Sequence, residues 1–209
     1  MSAVQIQGNA SGTGTLTVAA PSTNTNRTLT LPDETGTFVT SGSSTYLTSK
    51  IQPVTASVAS SAMTVTLNPT VLDFRSTPLT SGTVNTRTVS AAISVVVSSG
   101  STLGTVSATQ SRIVVIALDN AGTIELAVVN ISGGTNLDET TLISTTAEGG
   151  AGAADSATVV YSTTARTSLP FRVVGYIEST QATAGTWATA PSTIQGYGGQ
   201  ALAAMSSLG

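Results

Sequence analysis

The chain has 209 residues, of which 39 are Thr and 28 are Ser, while only 8% are charged and the formal net charge is −3. An average soluble domain carries about 25% charged residues, yet a mean hydropathy of +0.28 is too high for a chain kept disordered by charge. With no His and no Cys, a Ser-His-Asp triad, a thiolate nucleophile, a Cys/His zinc site, haem ligation by His or Cys and disulfides are excluded, because each needs an imidazole or a thiol at its centre.

Thr and Val suit a pleated surface better than a helix, and the apolar residues recur with a period of two. In chain order, Leu16 and Val18 alternate with Thr15 and Thr17, Leu29 and Leu31 with Thr28 and Thr30, and Thr37 to Thr40 continues the series. Met63, Val65 and Leu67 then alternate with Thr64 and Thr66, followed by Ile93, Val95 and Val97. Ile124, Leu126 and Val128 flank an outward Glu125, and Phe171, Val173 and Ile177 flank Arg172 and Glu178. These patterns predict strands with one wet face. Ile113 to Leu118 is apolar throughout and predicts a central strand, and Asp119-Asn120-Ala121-Gly122 predicts a hairpin turn between Arg112 and Ile131.

The predicted fold class is all-β: an antiparallel, jelly-roll-like β-sandwich head over residues 56–190, preceded by an extended β stem at residues 1–55 and followed by a Gly-rich tail at 191–209. The stem has too little apolar area to offset roughly 1–2 kcal/mol of backbone entropy per residue. Association of identical chains about an axis supplies the missing core, so the chain is expected to be a homotrimer with Leu16, Val18, Leu29, Leu31 and Phe38 at the oligomer interface. Gly149-Gly150-Ala151-Gly152 reads as a flexible loop and Gly196 to Gly199 as a hinge. Leu202, Met205 and Leu208, three residues apart, mark one side of a short helix or a frayed end.

No basic patch accompanies the single Lys50 and the six arginines, so nucleic acid is not an expected partner. No segment approaches the roughly 20 apolar residues of a membrane span, and the first residues carry no secretory signal, so synthesis in a cytoplasm is expected. Asp33-Glu34 follows Pro32 and precedes Gly36, where turn chemistry explains the pair. Asp138-Glu139 lies in a loop after Gly133-Gly134 and lacks the ligand spacing of an EF-hand calcium site. No metal, no cofactor and no catalytic residue are expected. Tyr161, Tyr176, Trp187 and Tyr197 are core or interface residues on the commoner reading; on the sharper one Trp187 and Tyr197 contact a receptor, as aromatics stack on sugars.

Two stretches carry a family likeness. Gly14 to Ser41, GTLTVAAPSTNTNRTLTLPDETGTFVTS, resembles a repeat near the N-terminus of bacteriophage tail fibres, with its Asn-Thr-Asn-Arg and Leu-Pro-Asp-x-x-Gly turns. Arg112 to Ala190, with DNAGTIELAVVN, YSTTARTSLPFRVVGYIE and TQATAGTWATAPS, resembles a β-rich domain of phage fibre and virion surface proteins. The resemblance implies a structural virion protein, a homotrimer attached to baseplate, tail or capsid proteins by its N-terminal part and displaying its β domain toward the host surface, a cell-surface glycan included. A capsid decoration protein, a carbohydrate-binding module and an acid-dependent depolymerase are the alternatives.

Overall fold

Alternating Thr and Val set the secondary structure of the computed structural model, which describes residues 11–13, 22, 24–26, 53–77 and 82–196. Contacts divide the chain into two units, Met1–Val39 and Thr40–Gly209. The description below concerns the second. Leu16, Val18, Leu29, Leu31, Phe38 and Tyr197, like Asp33-Glu34, Lys50, Leu202, Met205 and Leu208, lie outside the described residues.

Among the described residues, twelve strands follow one another: β1 (Val54–Ala59), β2 (Ala62–Leu67), β3 (Thr70–Arg75), β4 (Val84–Val89), β5 (Ile93–Val97), β6 (Ser111–Asn120), β7 (Thr123–Asn130), β8 (Ile143–Ala147), β9 (Tyr161–Ser162), β10 (Arg166–Leu169), β11 (Phe171–Ser179) and β12 (Thr193–Gln195). A 3-10 turn at Ile131–Gly133 is the helical element among the described residues. The strands form a three-stranded sheet β1-β2-β5, a two-stranded β3-β4 and a seven-stranded sheet in the order β10-β8-β9-β7-β6-β11-β12. The fold is all-β with antiparallel pairing, apart from β8 beside β9, which is parallel.

The expected hairpin is present, with a shorter turn than the sequence suggested. Asp119 and Asn120 belong to β6, paired with Ile124 and Thr123, and the turn is Ala121-Gly122, both at positive φ (49° and 96°). Two such residues make the type I′ geometry that matches the twist of the strands. The Asp119 carboxylate accepts the Gly122 N–H at 2.7 Å, and its other oxygen lies 2.9 Å from Arg87 of β4. Ser60-Ser61 repeats the geometry between β1 and β2, with φ of 51° and 61°.

Met63, Val65 and Leu67 are fully buried, with Val95 and Val97 beside them, as the period of two requires. The expectation of one wet face fails for β7 and β11, which are buried on both sides. Leu126 and Val128 point into a core shared with β1–β5, while Ala127 and Val129 point into a second core with Val114, Ile116 and Leu118. Phe171 and Val173 belong to the second core and Ile177 to the first, so the three do not share a face. A bulge inverts the phase: Val173 pairs with Ile116 and Gly175 with Val115, leaving Val174 as the extra residue.

Pro170 stands where the chain closes over the second core. It separates one extended run into β10, paired with β8, and β11, paired with β6, so an outer strand of the seven-stranded sheet runs directly into an inner one. The sheet must therefore curl, and the enclosed side fills with Val114, Ile116, Leu118, Ile143, Phe171 and Tyr176. At the other edge, a Cβ on Gly175 would lie 2.2 Å from the Gln195 carbonyl oxygen; only glycine lets β12 approach this closely.

Candidate functional site

The strand directions give this unit two unlike ends. β6 starts at Ser111 beside the end of β11 at Ser179, so the β5–β6 and β11–β12 connections emerge together. The β1–β2 turn lies there too, since Ser61 accepts the Trp187 backbone N–H at 3.1 Å. β1, six residues long, enters from the far side, and its first residue is roughly 17 Å away at about 3.4 Å per residue. β12 runs antiparallel to β11 and so also leads away from the loops. The chain thus enters the unit at Val54 on the side facing away from the loop-bearing end, whereas it leaves β12 at Gln195, opposite Tyr176 and three residues short of the end of β11.

Three connections, residues 98–110, 148–160 and 180–192, are fastened to one another by buried polar groups. Glu148 is 6% exposed and accepts the Ser98 N–H (2.7 Å), the Ser98 hydroxyl (2.9 Å), the Ser101 hydroxyl (3.1 Å) and the Gly150 N–H (2.9 Å). All four acceptor positions of a carboxylate are thereby filled, which is the condition for burying one. The buried Gln181 amide closes the third loop: its oxygen accepts from Ala188 (3.0 Å) and Thr189 (2.9 Å), and its nitrogen donates to Ser179 and to the Thr189 carbonyl, both at 2.7 Å. Asp155 accepts the Thr102 N–H and hydroxyl at 3.0 and 3.1 Å. The Gly149-Gly150-Ala151-Gly152 segment, expected to be flexible, is instead tied down: Glu148 accepts the Gly150 N–H, and the single hydrogen of the Ser101 hydroxyl is shared between Glu148 and the Gly150 carbonyl, each at 3.1 Å.

Trp187 is 1% exposed and donates its indole N–H to the Ser101 carbonyl at 2.8 Å. Its receptor-contact role is therefore corrected: the ring braces the loops from beneath and presents no surface to a ligand. Tyr161 is likewise buried, its hydroxyl accepting the Ser156 N–H at 3.2 Å. The surface above these groups, residues 106–110 with Ala182 and Thr183, is exposed and uncharged, with Val106 the most exposed large apolar residue at 65%.

Asp138 and Glu139 serve separate structural roles. The Thr140 N–H donates to Asp138 at 2.8 Å, and hydrogen bonding from Thr140 holds this carboxyl below its ordinary range. Glu139 accepts the Val173 N–H at 2.7 Å and faces Arg172 at 3.4 Å. No group of three metal-ligating side chains exists among the described residues.

Beside the loop-bearing end, a cleft of about 210 Å³ opens between Gln110, Ser111, Arg112, Ile131, Ser132 and Glu178. Arg112 and Glu178 are cross-strand partners on β6 and β11. The guanidinium donates through Nε (3.0 Å) and Nη2 to Glu178 Oε1 and sits 4.9 Å from the centre of the Tyr176 ring. Gln110 and Thr193 donate to Glu178 Oε2 at 3.2 and 3.0 Å. The Arg112 hydrogen bonds, with that of Thr193, hold the Glu178 carboxyl below its ordinary range. A second cleft, about 280 Å³, lies between Asp73, Arg75, Thr83 and Arg172. Sequence reading missed Glu148, Gln181 and the Arg112–Glu178 pair; in a chain with ten acidic residues, an acid directly before Gly149-Gly150 was the available signal for the first.

No family model, no curated protein and no solved structure matches this chain.

Proposed function

We propose that the chain is a structural protein of a phage virion, a short homotrimeric tail fibre that attaches to the particle by its N-terminal part and holds its β domain outward. The observation that carries this reading is the polarity of the described unit: the chain enters it at Val54 away from the loops, and the loops are stiffened by groups that contribute nothing to a solvent-side reaction. An element fixed at one end and presented at the other needs this polarity. The likeness of Gly14 to Ser41 to tail-fibre repeats supports the same assignment. In this reading the small sheets pack on the large one as a jelly-roll-like β-sandwich, Leu16, Val18, Leu29, Leu31 and Phe38 face sister chains, and the protein is not an enzyme.

The test is the mass of the full chain in solution by light scattering, beside a Leu29→Asp/Leu31→Asp variant. Three chains are expected for the wild type, and a monomer with an intact strand signature for the variant, because carboxylates buried against symmetry mates have no partner. A monomeric wild type overturns the reading. Imaging of the protein on its particle, with tens of copies at a tail, separates a fibre from a capsid decoration protein present in hundreds.

A further inference from the structure

We infer that the cleft between Arg112 and Glu178 is a binding site for one uncharged sugar ring. Its lining alternates hydrogen-bonding groups (Gln110, Ser111, Arg112, Ser132, Glu178) with one apolar wall, Ile131. Such a mixture fits a molecule that carries hydroxyls on a compact hydrocarbon ring.

The charges decide between ligand classes. Arg112 and Glu178 neutralise one another across a 3.0 Å hydrogen bond, so an anion must break the pair to reach Arg112, and a cation must break it to reach Glu178. A neutral polyol keeps it. Hydroxyl groups both donate and accept, so two neighbouring ring hydroxyls can bond the carboxylate and the guanidinium at once. One position is easily yielded: Gln110 is exposed and makes the longest contact to Glu178, 3.2 Å, so a ring hydroxyl replaces its amide at little cost. The Arg112 guanidinium is fixed from beneath by Tyr176, and Glu178 is fixed by Thr193, so little side-chain freedom is lost on binding.

Size and position agree. At about 210 Å³ the cleft falls below the roughly 300–1,000 Å³ of pockets for drug-sized ligands and holds a single ring. Gln110, Ser111 and Glu178 belong to the loop-bearing end, away from the chain's entry at Val54. The inference rests on the display reading only for which end faces outward.

The experiment is saturation-transfer NMR on the full-length protein with galactose, mannose and N-acetylglucosamine as neutral probes and glucuronic acid and glucosamine as charged ones. Saturation of at least one neutral sugar is expected, at least several-fold stronger than that of either charged sugar, with affinity in the millimolar range. Ser132→Trp, which fills the cleft from an exposed position, should abolish it. Should that variant fail to fold, Gln110→Trp, which fills the cleft from the exposed loop, serves instead, and a signal that survives it counts against the site. The proposal is overturned if no neutral probe is saturated, if a charged sugar is preferred, or if the signal survives Ser132→Trp in a folded protein. A monomeric chain that still binds these probes refutes the fibre architecture alone, and a trimer that binds none refutes the cleft alone.

Discussion

The middle of the large sheet and its loop-bearing end are held by different means. β6, β7 and β11 are held by apolar side chains on both faces, with Ile113, Val115, Ile116 and Leu118 inaccessible to solvent. The loops above them place only Leu103, Ala154, Val159, Val160 and Trp187 against the two cores, and are held as well by Glu148, Ser101, Asp155 and Gln181. Apolar burial is non-directional and tolerates exchange of one hydrocarbon for another. A buried polar network fixes the backbone at named atoms and fails when any member loses its partner. Irregular backbone has no neighbouring strand to bond, so its N–H and C=O groups are met one at a time, by these side chains and by loop-to-loop bonds such as Leu103 N–H to the Ala154 carbonyl at 2.7 Å.

Substitutions can break this contrast in order of expected size. Trp187→Ala removes the brace common to both regions and should lower unfolding stability by about 3–5 kcal/mol, read by chemical denaturation; a loss below about 1 kcal/mol would mean that the loops stand without it. Glu148→Ala leaves the Ser98 N–H and hydroxyl and the Gly150 N–H without their acceptor and should cost about 3 kcal/mol. Ile116→Val, in the apolar centre, should cost only about 0.5–1.5 kcal/mol. The reverse order of these two would show that the loop network is dispensable. Gly175→Ala pushes a methyl against the Gln195 carbonyl and should cost about 1–3 kcal/mol, with faster amide exchange confined to β12.

Two smaller effects sharpen the comparison. Glu125 and Glu178 each have a carboxyl held below its ordinary range, first of all by hydrogen bonds from Arg166 and Arg112. A lowered folded-state value means that the stabilisation is complete above the unfolded value, about 4.3, and is lost as pH falls through the folded one. Thermal midpoints should therefore decline on acidification from about pH 5, and Glu178→Gln should flatten that decline. Ala121→Asn, at a turn position with φ of 49°, should raise stability by less than about 1 kcal/mol, because Asn adopts the left-handed conformation more readily than Ala.

Much of this was legible from residue order alone. The hydroxyl-rich composition and the period of two determined an all-β chain, the inner face of β2 and β5, the centrality of Ile113 to Leu118, and the hairpin that follows it, because strand alternation and turn conformation are local properties of the backbone. Tertiary structure decided the rest. A single inserted residue at Val174 moved Ile177 to the opposite face from Val173, Pro170 let one run of chain serve two positions in the sheet, and Trp187 turned inward. Each depends on what another strand or loop places opposite, and the same holds for Glu148 and for Arg112 beside Glu178: their partners are about 50 and 66 residues away in sequence, a distance over which periodicity carries no information.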